Sequence, residues 1–221
     1  MSDLLLPAVA IAVVTVTTPK PPSAGPGTYQ FLAGAALFEV EQVAPDDFSY
    51  RLAVSSVPAG TSEAVLAEWL THHVPTDRRV IGWHLADTII PALFEATDAA
   101  SAAAAGDLID ALSKAVTMDA VDLADLHGGM AAPSFRDVCA SAGVRACSMS
   151  DEVALGAWSI GRKVELLGML ATNAVAAWRL WADHEQPANP IPHRFAADVL
   201  RHWRVDTADA LCWHNGEISH G

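Results

Sequence analysis

The sequence predicts an α/β protein: a central mixed β-sheet flanked by helices. Three observations predict it. Residues 4 to 57 hold three apolar, β-branched runs with turn signals between them. From Gly60 onwards, stripes of helical period alternate with short strand-like runs. The longest helical pattern, Lys163 to about His184, comes late and is followed by a proline-broken tail. Strands first, then alternating helix and strand, favour a layered sheet with a mixed strand order.

The first strand is expected within Leu4 to Val16, where Ala-Val-Ala-Ile-Ala-Val-Val-Thr-Val is rich in β-branched residues. A signal-peptide core is the competing reading of this run. Asp3, the lack of Lys or Arg before it, and the interrupting Pro7 speak against that, and the run is too short to span a bilayer. Pro19 to Gly27, with four prolines and two glycines, is a loop. Phe31 to Val43 and Tyr50 to Val57 are expected as antiparallel neighbours joined through Pro45-Asp46-Asp47. A helix follows, capped by Thr61 or Ser62, with Val65, Leu66, Trp69 and Leu70 as its apolar stripe, ending before Pro75.

Arg79 to Trp83 is a short strand, and Asp87 to about Thr97 a helix with Pro91 near its start. Ala96 to Gly106, nearly all Ala, Ser and Asp, reads as a helical or loop insertion without chemical content. Leu108 to Val116 is helical, Ala120 to Leu126 a short strand or loop, and Ser134 caps a helix that stops at Gly143. After Lys163 to His184 comes one more amphipathic helix, Arg194 to Trp203, with Phe195, Val199, Leu200 and Trp203 on its apolar side. The expected organisation is one domain over residues 1–186 and a helical extension over 187–221.

Composition narrows the function classes. The 221 residues carry 26 acidic and 13 basic side chains, a formal net charge of -13. Bulk electrostatic grip on nucleic acid is excluded, though a local basic patch is not. At 52% hydrophobic and 18% charged, the chain is too apolar to be disordered. Cys139, Cys147 and Cys212 are odd in number and form no CxxC pair, so a disulfide framework is not expected. A reducing, cytoplasmic setting fits that usage. Of the nine histidines, the adjacent His72 and His73 diverge on a helix, and His127 precedes Gly128-Gly129 in a loop; none forms an HxxxH or HxH pair. Trp69, Trp178 and Trp181 fall in apolar helical stripes and are expected in the core.

Four words in order resemble the DEDD-type 3′–5′ exonucleases on the ribonuclease H-like fold. The nearest likeness is to the proofreading domains of family B DNA polymerases and their stand-alone bacterial relatives. In the family, a first strand ends in Asp-x-Glu-Thr; Ala12-Val13-Val14-Thr15 holds that register and keeps the Thr. The second word, Val-x-Gly-Trp/Phe-Asn leading to Asp-x-Pro, resembles Val80-Ile81-Gly82-Trp83-His84 and Ile89-Ile90-Pro91; His84 stands at the Asn and Ile89 at the Asp. The third is similar to Asp122-Leu123 followed by Ser134 to Gly143. The fourth, Glu-Ile-x-x-Tyr-x-x-x-Asp-Val, resembles Glu165 to Ala174, with Met169 at the Tyr and Asn173 at the Asp. The likeness spans residues 8 to 184.

What the resemblance implies is a two-metal site held by four carboxylates, with Mg or Mn as cofactor. Asp-x-Glu on a strand puts two carboxylates on one face, and Tyr-x-x-x-Asp on a helix sets a phenol beside a ligand. Here the side chains of Ala12, Val14 and Ile89 carry no oxygen, Asn173 lacks charge and Met169 lacks the hydroxyl. Hard cations need anionic oxygen to offset dehydration. The expectation is a degenerate exonuclease with no catalytic residues and no bound cofactor. It would act in DNA replication or repair through a protein partner or weakly held single-stranded nucleic acid, with Thr15, Trp83 and His84 as contacts and no membrane association. The alternatives are a nuclease with ligands relocated to Asp87, Asp122 or Asp125, and a structural subunit without a nucleic-acid role.

Overall fold

The computed structural model describes residues 4–20, 26–44, 47–117, 119–148, 151–187, 191–192 and 194–204. Cys212, parts of the Pro19–Gly27 loop and of the Pro45–Asp47 turn, and the tail beyond residue 204 lie outside these. The molecule is α/β, with a five-stranded mixed sheet in the order β3-β2-β1-β4-β5. β1 (Ala8–Pro19) and β2 (Thr28–Ala44) pair antiparallel, as do β2 and β3 (Asp47–Ser56). β4 (Arg79–Gly82) lies parallel to β1, and β5 (Val121–Asp122) parallel to β4.

β1 begins at Ala8, where the expected run starts, and continues three residues beyond Val16. Pro7 has no N–H to give a ladder; its carbonyl instead accepts from Arg79 N at 3.2 Å, and Leu4 and Leu6 stay exposed. At the far end Thr17 and Thr18 still pair with Gln30 and Tyr29. The centre of the sheet is covered on both faces: Ala8–Ala12 and Phe31–Phe38 are buried without alternation. The face carrying Ala10, Ala12, Val14, Gly34, Ala36 and Phe38 meets α7 (Lys163–Glu185), where Trp178 packs edge-on against Phe38. A Cβ on Gly34 would lie 2.8 Å from Leu170 Cδ1 and 2.9 Å from the Ser55 carbonyl, so only glycine lets α7 sit this close. The helices α1 (Ala64–His73), α2 (Ile90–Thr97) and α3 (Ala102–Thr117) pack together and against β2, β3 and β4, and cover the other face.

Several local expectations are corrected. The cap position of α1 falls on Glu63, yet of the two expected caps Ser62 still accepts Ala64 N–H on its Oγ at 3.2 Å; the Glu63 carboxylate turns away to accept Leu32 N–H at 2.5 Å. β3 ends opposite Gly34, so Leu32 N–H has no ladder partner on that side and the buried carboxylate substitutes for one. Val65 is exposed; the inward face of α1 is Leu66, Ala67 and Leu70. The stretch Ala96–Gly106, expected as a helical or loop insertion, is helical from Ala102, where it forms the first turn of α3, as its alanines favour. The helix placed at Asp87 starts instead as a π-helical turn, Leu85–Ile89, running into α2.

α4 (Leu123–Leu126) and α5 (Phe135–Ser141) follow β5, with Asp122 and Ser134 as their caps. Ser134 Oγ accepts from Asp137 N at 3.2 Å, and Gly143 ends that region with a φ of 67°. α6 (Asp151–Ser159), absent from the sequence expectation, docks through Trp158, whose Nε1 donates to Val57 O at 2.7 Å and whose ring lies 5.0 Å from that of Phe31. A last helix, α8 (194–204), does not stand apart. Phe195 inserts among Phe38, Phe48, Tyr50 and Trp178, at 5.3 to 6.5 Å between ring centres, and joins the core on the α7 face.

Candidate functional site

A cavity of about 230 Å³ opens where the middle of β1 passes α7. Ala12, Val14 and Thr15 come from β1, and the register shift between Val14 and Thr15 marks a bulge there. Trp83, His84, Thr88 and Ile89 come from the end of β4 and the π-helical turn, Phe135 from α5, and Asn173 from α7. The four positions at which the resemblance puts carboxylates, Ala12, Val14, Ile89 and Asn173, therefore line one cavity.

Local structure explains each placement. Ala12 and Val14 share a strand face by the two-residue repeat. His84 adopts a left-handed conformation, φ 52° and ψ 48°, which ends β4 and reverses the chain. Its carbonyl accepts from both Thr88 N at 2.9 Å and Ile89 N at 3.1 Å, and the second of these is the i to i+5 bond of a π turn. That widened turn carries Ile89, 4% exposed, to the cavity. Gly82 precedes it because a Cβ there would stand 2.7 Å from Ile89 Cδ1.

The donor set does not fit two hard cations. Among the described lining residues there is no carboxylate. Asn173, 4% exposed, spends its amide on the backbone: Oδ1 accepts Cys147 N–H at 2.8 Å and Nδ2 donates to Cys147 O at 3.3 Å. Met169, one turn earlier on α7, is buried and does not line the cavity. The acids weighed as relocated ligands are used otherwise. Asp87 is exposed on the first turn of the π-helical segment, where the helix dipole favours an anion. Asp122 accepts from Ala124 N at 3.0 Å as the cap of α4 and from Ala86 N at 3.2 Å. Asp125 is exposed on α4. Among the described residues no three His, Cys, Asp or Glu side chains converge as a metal site would require.

The cavity wall is aromatic on one side. Trp83 lies 5.4 Å from Phe135, 5.6 Å from His84 and 6.0 Å from His127, ring centre to ring centre. Phe135 and Thr88 were not among the residues expected here. The signal for both was adjacency: Thr88 precedes the Ile89 position, and Phe135 follows the Ser134 cap. Of the tryptophans expected in the core, Trp178 and Trp181 are 1% exposed, while Trp69 is half-buried and stacks on His73 at 4.3 Å. Comparisons with protein-family models, with curated proteins and with solved structures found no match for this chain. No helix among the described residues is long and apolar enough to cross a membrane.

Proposed function

We propose that this chain is an exonuclease-like domain of the ribonuclease H-like type whose metal site has been dismantled, and that it works without catalysis. One observation carries the reading: Ala12 and Val14 of one strand, Ile89 and Asn173, from three segments distant in sequence, line a single cavity. Loss of function at four positions that share one cleft is what degeneration of one metal centre leaves behind. The polar remnant, Asn173, holds a loop rather than an ion.

The retained role is binding in DNA replication or repair. The ring of Trp83, flanked by His84 and Phe135 at the cavity mouth, supplies a face on which a base of a single strand can stack. With a net charge of -13 the chain adds little backbone attraction, so such binding is weak. The same charge favours a protein partner as the second reading, because protein recognition does not depend on counterion release.

The test is an end-labelled single-stranded oligonucleotide, DNA and RNA in parallel, with Mg²⁺ or Mn²⁺. We expect no shortening from the 3′ end. Processive, chelator-sensitive shortening overturns the reading in favour of relocated ligands. Fluorescence anisotropy then separates the two binding roles: weak, salt-sensitive binding that Trp83→Ala abolishes, with the fold checked by melting, supports the nucleic-acid role. Absence of binding at low salt leaves the protein-partner role.

A further inference from the structure

A second cavity, about 450 Å³, lies on the far side of α7 from β1's bulge, between α7, α8 and the segment after α5. Four arginines line it: Arg145, Arg179, Arg201 and Arg204. The whole chain has 13 Lys and Arg against 26 acids, so this concentration runs against the composition. Two of the four charges are answered locally. Arg179, 4% exposed, pairs with Asp183 at 3.5 Å, and Arg201 pairs with Asp198. Arg145 and Arg204 are exposed and pair with no carboxylate among the described residues. Among the described residues two of its four charges therefore stand without a carboxylate, while Val175, Ala176, Ala196 and Leu200 give it apolar wall.

Like charges gathered at one mouth repel each other, and in an acidic protein nothing in the fold demands them there. Planar guanidinium groups match the oxygens of phosphate through paired, charge-assisted hydrogen bonds. The volume falls within the range of roughly 300–1,000 Å³ typical of small-molecule sites. An apolar wall beside a doubly positive rim suits a ligand with a dianionic head and an apolar body.

We infer that this cavity is a binding site for a small organic phosphomonoester, with Arg145 and Arg204 clasping the phosphate and the α7–α8 wall taking the organic group. The site is separate from the cavity at β1 and does not depend on the reading given above for that cavity. A phosphomonoester is a dianion near neutral pH and presents three oxygens on one atom, which two guanidinium groups lining one cavity can share.

Isothermal titration calorimetry on the full chain tests this with phenyl phosphate, inorganic phosphate and phenol as probes. We expect phenyl phosphate to bind, inorganic phosphate to bind more weakly, and phenol not to bind. Affinity should fall with added NaCl. The double variant R145Q/R204Q should lose at least about tenfold in affinity, since each guanidinium makes charge-assisted contacts. Both residues are exposed and form no ion pair among the described residues, so the variant should melt with the natural protein, which separates lost binding from lost fold. Absence of heat with phenyl phosphate at millimolar concentration overturns the inference. So does binding that the double variant retains. Equal affinity for phosphate and phenyl phosphate overturns the part assigned to the apolar wall.

Discussion

The side chain of Asn173 and the backbone of Cys147 are joined by two hydrogen bonds, 2.8 Å to the N–H and 3.3 Å from the carbonyl. A primary amide supplies the donor and the acceptor that such a pair needs on two separate atoms. The bond ties the chain after α5 to the middle of α7, on the wall of the cavity at β1. At the position where the resemblance puts a metal-binding Asp, the chain carries a residue suited to holding a loop closed.

Asn173→Asp should therefore be destabilising at neutral pH. The carboxylate still accepts from Cys147 N–H, but its second oxygen faces the Cys147 carbonyl without a proton between them. The cost is about 1–3 kcal/mol, that of an unsatisfied buried group. The mutant carboxyl should have a raised pKa in the folded state. Its stability then approaches that of the natural protein at low pH, and is lost as pH rises through the ordinary Asp value up to the raised one. Urea melts across that range check it; a pH-independent deficit would assign the loss to something other than the missing proton.

Rebuilding the carboxylates tests the shared cleft directly. The quadruple variant A12D/V14E/I89D/N173D should melt well below the natural protein, by several kcal/mol in total, because four anions are brought together out of water. Mn²⁺ should restore much of that, since an ion bound only by the folded state stabilises by mass action. The natural protein should ignore the ion. Equal, metal-independent melting of the two proteins would count against a common site.

Glu63 makes the stability of the natural protein fall with pH. Burial raises its carboxyl pKa, an effect the Leu32 N–H bond opposes and the charge of Glu95 reinforces. A raised folded value means the folded state holds the proton more tightly than the unfolded chain. The contribution is full below the ordinary Glu value and is lost as pH rises through it to the folded one. Glu63→Gln keeps an acceptor for Leu32 N–H and should flatten that part of the profile. Glu63→Ala orphans the N–H and should cost about 1–3 kcal/mol at every pH. Chemical denaturation from acid to neutral pH measures all three.

The thiols should separate cleanly. Cys139 is fully buried and burial pushes its pKa up to about 12, whereas Cys147 is half-buried. Because the thiolate is the reactive form, a disulfide reagent should modify Cys147 in the folded protein and Cys139 only on unfolding. In a Cys212→Ser background, one thiol should react before denaturation and two after it. Cys147→Ser should remove the early reaction.

The sequence by itself determined the α/β class of the fold; the site at β1 was expected only from the resemblance. Continuous apolar, β-branched runs bounded by turn residues read as strands covered on both faces, and they appear as β1 and β2. Period-two and period-four geometry then forces Ala12 with Val14, and Met169 with Asn173, onto shared faces wherever the elements lie. Other features waited on tertiary structure. α6 carries Gly156 and a short, mixed pattern, and it is held by Trp158 bonding to Val57, about a hundred residues away. The exact work of Asn173 depends on a loop 26 residues distant, and that of Glu63 on a strand 31 residues distant. Arg145, Arg179, Arg201 and Arg204 meet only because α8 returns across α7 and buries Phe195 on the sheet. Local pattern reports the period of an element and the face it buries. It is silent on which side chains from remote segments meet, because that is settled by how the packed layers close on one another.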